Sequence, residues 1–242
     1  MLLRVLAATL LATGRGFVPS VRRAVLKQQL LDAALAKDEP RVLALVDELA
    51  PLSPTRAPTR NLGVSADCPL AGPWRLAWTN ARDAEAPART ENRLRAFDDG
   101  DALAEGVALE TGQTIDAAAG LCRNFIRATG ANAPFDELEI DIALSALGDR
   151  RVRLDFLRGR ARNARAPLPF LRDVRFGFPP ASFGDLVARL RGRDPSTEPP
   201  AFFDVLYLDD ALRCHRTGEG KVFVQARPDV LRRSRAVVTS AT

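Results

Sequence analysis

The chain has a single histidine, His215, so any histidine-dependent triad would have to be built on it, and no nucleophile is marked out near it. It falls in a strand pattern and reads as an edge or surface residue. Cys68, Cys122 and Cys214 are far apart and form no Cys-x-x-Cys pair, which argues against a disulfide framework and against a zinc site. Asp98-Asp99 and Asp209-Asp210 look like acid/base pairs. Adjacent strand residues, however, face opposite ways, and acids in a turn are solvated. The chain has no Gly-x-Gly-x-x-Gly after a strand, no P-loop and no Gly-x-Ser-x-Gly elbow. The expectation is a protein that is not an enzyme, with no catalytic residue, metal or cofactor.

Two other features suit binding rather than bond-making. Gly72-Pro73-Trp74 opens a strand and resembles the Gly-x-Trp of the first lipocalin strand, where the Trp closes the floor of a barrel whose interior stays open for one ligand. Near the other end, Asp209, Arg213 and Arg216 stand in an otherwise apolar hairpin. A guanidinium fork and a carboxylate at a barrel mouth can orient the polar head of a ligand. One salt bridge across a tight turn would equally pin the hairpin and need no ligand. By strand alternation Arg213 and Arg216 face opposite ways, so only a bulge could bring both into one cavity. The candidate ligand-binding residues are Asp209, Arg213, Arg216 and Trp74.

The elements that must position these residues follow from periodicity. Val25, Leu26, Leu30, Leu31 and Ala34 have helical spacing within Val21 to Leu35. Asp38 or Asp38-Glu39 caps a second helix, with Pro40 in its first turn and Val42, Leu45, Val46 and Leu49 on one face. Pro51, Pro54 and Pro58 end it as a stiff linker. From Leu70 the period becomes two, with Trp74, Leu76 and Trp78 pointing one way. Residues 82–106 read as a polar loop or loose hairpin. Gln113 to Asp116 and Leu121 to Ala128 read as strands, Leu138 to Leu147 as strand or helix, and Val152, Leu154 and Phe156 as a strand face. A short helix from Ser182 through Leu190 and a loop at Pro195, Pro199 and Pro200 precede a meander: Phe202 to Leu208, Ala211 to Thr217, and Lys221 to Ala226.

Taken together, these blocks resemble the plastid lipid-associated protein (fibrillin) family. The resemblance rests on Tyr207-Leu208-Asp209, the Leu212-Arg213-x-x-Arg216 strand, the glycine turn and Phe223-Val224. It also rests on the Ser53-Pro54-Thr55 linker, Gly72 to Thr79, Gln113-x-Ile115-Asp116, Asn124-Phe125, and Arg151-Val152-x-Leu154-x-Phe156. It covers roughly residues 25–228 and departs at Thr217-Gly218, where the family has Gly straight after the Arg. It implies a mostly β, lipocalin-like barrel with N-terminal helices. The implied function is to bind or sequester an apolar lipid or isoprenoid (prenylquinone, tocopherol, carotenoid or acyl chain) at a plastoglobule or thylakoid surface. The alternative is a structural coat of plastid lipid bodies without a specific pocket.

Composition fits this reading. Hydrophobic residues make up 46 % of the 242, enough for a core, and no apolar run is long enough to span a membrane. The net charge of +5 is weak evidence for a nucleic-acid partner, and none is expected. No acidic residue precedes Asp32, and Val5 to Ala12 is a short apolar run after a basic start. Residues 1–16 therefore read as a signal peptide. Residues 17–24, opening on Phe17, read as a transit-peptide-like segment similar to the bipartite presequences of algae with secondary plastids. Residues 229–242 are expected as a flexible tail.

Overall fold

The fold is taken from a computed structural model, in which residues 19–81, 106–133, 135–178 and 201–239 are described. The expected signal peptide, the Phe17 junction, Asp98-Asp99, the helix from Ser182 and the loop at Pro195 lie outside these residues.

Two helices open the domain, α1 (Pro19–Leu35) and α2 (Glu39–Leu49). Asp38 is the N-cap of α2, its carboxylate accepting from the Arg41 amide at 3.3 Å, and Pro40 sits where a missing N–H costs nothing. Val42, Leu45, Val46 and Leu49 form its buried face, as the spacing requires.

Nine strands follow among the described residues: β1 (Gly72–Thr79), β2 (Ala108–Asp116), β3 (Leu121–Thr129), β4 (Glu137–Ala146), β5 (Arg151–Arg162), β6 (Asp173–Gly177), β7 (Phe202–Leu208), β8 (Leu212–Thr217) and β9 (Val222–Ala226). Every pairing is antiparallel, in the order β4-β3-β2-β1-β9-β8-β7-β5-β6, and β4 also pairs β5. That last pairing closes eight strands into a barrel and leaves β6 outside it. The segment expected as strand or helix at 138–147 is β4. Closure decides between the two, because both of its edges are paired.

Two apolar layers result from strand alternation. Inside the barrel lie Trp74, Ile115, Ile140, Ile142, Val152 and Phe203. Leu62, Cys68 and Leu70, from the segment before β1, belong to the same cluster and close the end at which Trp74 sits. Outside, Leu30, Val46, Tyr207, Leu212 and Val224 join the helices to the barrel wall.

Two expectations need correction, and one strand lies where none was expected. Trp74, Leu76 and Trp78 do not share a face. The register against β9 shifts between Leu76 and Trp78, and this bulge turns Trp78 outward into the layer under the helices while Trp74 stays inside. The expected tail from 229 is a helix, α3 (Pro228–Thr239), held by Leu231, which is buried in the helix–barrel layer. Strand β6 was not anticipated. It is short and fully exposed, and it pairs the stretch of β5 that runs past β7.

Candidate functional site

The barrel encloses a cavity of about 150 Å³ that reaches toward the end opposite Trp74, here called the mouth. Its walls are largely apolar, with Leu76, Ile140, Ile142, Leu154 and Phe156 among them. A few polar groups converge on it: Thr111, Gln113, Asn124, His215 and Gln225.

Below the cavity lies a guanidinium floor. Arg213 is fully buried on the inward face of β8. Its Nε donates to Gln225 Oε1 at 2.9 Å, and its Nη2 donates to the side-chain oxygens of both Gln113 and Gln225. Its guanidinium carbon lies 5.1 Å from the centre of the Trp74 ring. Burial pulls the guanidinium down to about 10, with the nearby Arg227 adding to the drop, so it remains a cation at neutral pH. Arg213 Nη1 and Thr111 Oγ1 are buried and have no hydrogen-bond partner among the described residues.

A second guanidinium completes the floor. Arg227 lies 3.8 Å from the Trp74 ring and donates to the Ala71 and Pro73 carbonyls at 2.9 and 3.1 Å. This close approach explains the glycine of Gly72-Pro73-Trp74. Gly72 has φ +95°, and a Cβ there would stand 2.8 Å from Arg227 Nη1. Trp74 itself is fully buried, and its Nε1 donates to the Leu70 carbonyl at 2.9 Å.

The four sequence candidates do not form one constellation. Trp74 and Arg213 meet inside the barrel, at the floor rather than the mouth. Asp209 sits outside, at the β7–β8 turn. It accepts from Lys27 of α1 at 2.5 Å, from the Tyr207 hydroxyl at 2.6 Å, and from the Ala211 and Leu212 amides at 2.9 and 2.8 Å. That is a hairpin staple, and it also ties α1 to the barrel. Arg216 points outward to Asp47 of α2 at 3.3 Å, both side chains being well exposed. No bulge separates Arg213 from Arg216, so alternation holds and only one of them faces in.

His215, expected at an edge or on the surface, is buried on the cavity wall. It stacks on Phe223 at 4.9 Å and tilts against Phe203 at 4.6 Å. The signal was its parity with Arg213, two residues earlier. Gln113 and Gln225 were also missed. Their signal was a polar residue at an inward position, beside Ile115 in β2 and Phe223 in β9. The thiol of Cys122, which lines the cavity from β3, is pushed up to about 12 by burial and so stays protonated at neutral pH.

A closed antiparallel barrel with a tryptophan floor, an apolar interior and helices on one outer wall is a lipocalin-like fold. The PAP_fibrillin family model matches residues 25–226, and the chain belongs to this plastid lipid-associated protein family. No curated protein and no solved structure matches it.

Proposed function

We propose that the barrel binds the head of one apolar lipid or isoprenoid, with a carbonyl or carboxylate oxygen of that head facing Gln113 and Gln225 above Arg213. The observation that carries this reading is the pair of glutamines. Arg213 engages both side-chain oxygens, so each amide presents its NH₂ on the other side, and both residues line the cavity. An apolar cavity over two donors and a buried cation selects a ligand with an acceptor at its tip.

Size narrows the ligand further. Pockets that swallow a drug-sized molecule run to roughly 300–1,000 Å³, whereas a cavity of about 150 Å³ takes one benzene ring. The cavity here is of the second size. A quinone ring or the first carbons of an acyl chain fits, and a long tail must stay at the mouth. This disfavours a whole carotenoid and favours a prenylquinone, a tocopherol-like head or a fatty acid. The same small volume is what favours the second reading, a coat protein of plastid lipid bodies with no specific ligand. Family membership supports a plastid address for either reading.

The test is Gln225→Glu. The new carboxylate keeps the side-chain size and satisfies Arg213, but it replaces the donor facing the cavity with an acceptor. Titration with a short-chain benzoquinone, followed by tryptophan fluorescence, should show affinity reduced at least about tenfold, the loss of one hydrogen bond plus a repulsion. The melting temperature should hold. A wild-type protein that binds a hydrocarbon of equal size as well as the quinone would rule the reading out and leave the coat role.

A further inference from the structure

Six of the ten large apolar side chains exposed among the described residues fall between Leu157 and Phe176. They lie on the far half of β5, on β6 and on the turn between them, outside the closed ring. The register divides this extension into two faces. Arg160 stands opposite Arg175, and Arg162 opposite Asp173, on one face. Gly159 stands opposite Phe176, and Ala161 opposite Val174, on the other. Gly159 is needed there, because a Cβ would meet the Phe176 ring at 2.2 Å.

The charged face is positive at its outermost layer. Asp141 serves both Arg123 and Arg158, Glu137 serves both Arg127 and Arg162, and Asp173 serves both Arg160 and Arg175. The carboxylates of Asp141 and Glu137 lie underneath, 16 % and 3 % exposed, while Arg158 and Arg175 stand 71 % and 73 % exposed.

The apolar face leads into the barrel. Phe176 meets Phe178 at 5.6 Å, Phe178 meets Phe156 at 5.7 Å, and Phe156 lines the cavity. Outward, the track ends at the turn carrying Leu168, Leu171 and Phe170, the last 71 % exposed.

We propose that the β5–β6 extension docks the protein on a lipid surface bearing anionic headgroups. Its apolar face and the Phe170 turn enter the acyl layer, its arginines meet the headgroups, and the Phe176–Phe178–Phe156 track leads a lipid head into the barrel. Apolar patches rimmed by polar groups mark protein or membrane contacts. Continuity with the cavity selects the membrane here, since a track from surface to cavity serves a lipid ligand only where its outer end touches lipid. That step rests on the reading of the cavity given above. Positive charge at the outer layer selects anionic lipid.

The experiment is flotation of the full chain with vesicles of neutral phosphatidylcholine, and of the same lipid with phosphatidylglycerol added. The wild type should float with the anionic vesicles, float less with the neutral ones, and be released by salt. A Phe170→Ser/Leu171→Ser double variant should lose at least tenfold in vesicle affinity at unchanged melting temperature. Val64→Ser, at a side chain 79 % exposed beside the closed end, should float like the wild type. Binding of a short water-soluble benzoquinone, measured without vesicles, should be equal in all three. A wild type that stays at the bottom with both vesicle types overturns the proposal and makes the patch a protein contact. A double variant that floats like the wild type overturns it also. Loss of docking with quinone binding intact is the expected pattern. Docking without any quinone binding would overturn the reading of the cavity and the track while leaving the docking surface in place.

Discussion

Trp74 holds more of the structure than its area alone implies. It is fully buried, its indole N–H is satisfied by Leu70, and two guanidiniums lie over its ring. Trp74→Ala leaves a hole at the floor, strips Arg227 of its aromatic partner and leaves Arg213 only the Phe203 ring, 5.9 Å away. Chemical denaturation should show a loss of ~3–5 kcal/mol. An unchanged midpoint would mean the floor is held by Leu62 and Leu70 alone. Asp209 makes a different residue-scale prediction. Burial acts to raise its carboxyl, but Lys27, Tyr207 and the Ala211 and Leu212 amides outweigh this and hold it below its ordinary value near 3.8. A lowered carboxyl stabilises the fold above its unfolded pKa and loses that contribution as pH falls through the folded value. The stability gap between the wild type and Asp209→Asn should therefore be full at about pH 7 and shrink below about pH 4. A gap that persists in strong acid would point to packing rather than charge. Alternation in the sequence told that Arg213 and Arg216 face apart. It could not tell which faces in, because that depends on Gln113, a hundred residues away in β2.

At the scale of elements, the two N-terminal helices and the C-terminal meander were legible because each announces itself locally. The Asp38 cap, the helical spacing of Val42 to Leu49, and the period of two from Phe202 to Ala226 all lie within one element or one hairpin. Asp38→Ala should cost about 1 kcal/mol or less, since the cap is exposed and its hydrogen bond long at 3.3 Å. Three elements were not legible. The β1 bulge is a property of the pairing with β9, so a strand read alone keeps a strict alternation that Trp78 breaks. Strand β6 is only five residues long with every residue exposed, and the overhang of β5 makes it a strand. Helix α3 carries Arg232, Arg233 and Arg235, which read as a tail, while the buried Leu231 is a single residue with no periodic companions that stand out. Truncation after Arg227 should therefore lower the melting temperature by several degrees. If the truncated chain melts with the full one, Leu231 contributes nothing.

For the whole molecule, the decisive feature is that β5 serves three partners. Its start pairs β7, its length pairs β4, and its end pairs β6. The first two close the barrel and create the cavity, and the third carries the exposed apolar face. No local pattern encodes this division of one strand, which is why a barrel was legible and its mouth was not. Leu154, the fourth residue of β5, lines the cavity and is only partly buried, so it tests what the barrel is for. Leu154→Trp puts a ring into the open space of about 150 Å³. Overpacking costs typically ~1–3 kcal/mol, which a folded domain of this size should survive. Leu154→Ala does the reverse, enlarging the cavity at a cost of ~2–5 kcal/mol. If the interior is the ligand site, the Trp variant should lose short-chain quinone binding while remaining folded by circular dichroism, and the Ala variant should accept a bulkier ring than the wild type does. Vesicle flotation should be the same in both, because Leu154 is not part of the exposed face of β6. Equal quinone affinity across wild type, Trp and Ala variants would place the ligand elsewhere, and the barrel would then be a scaffold for the surface that β5 and β6 present.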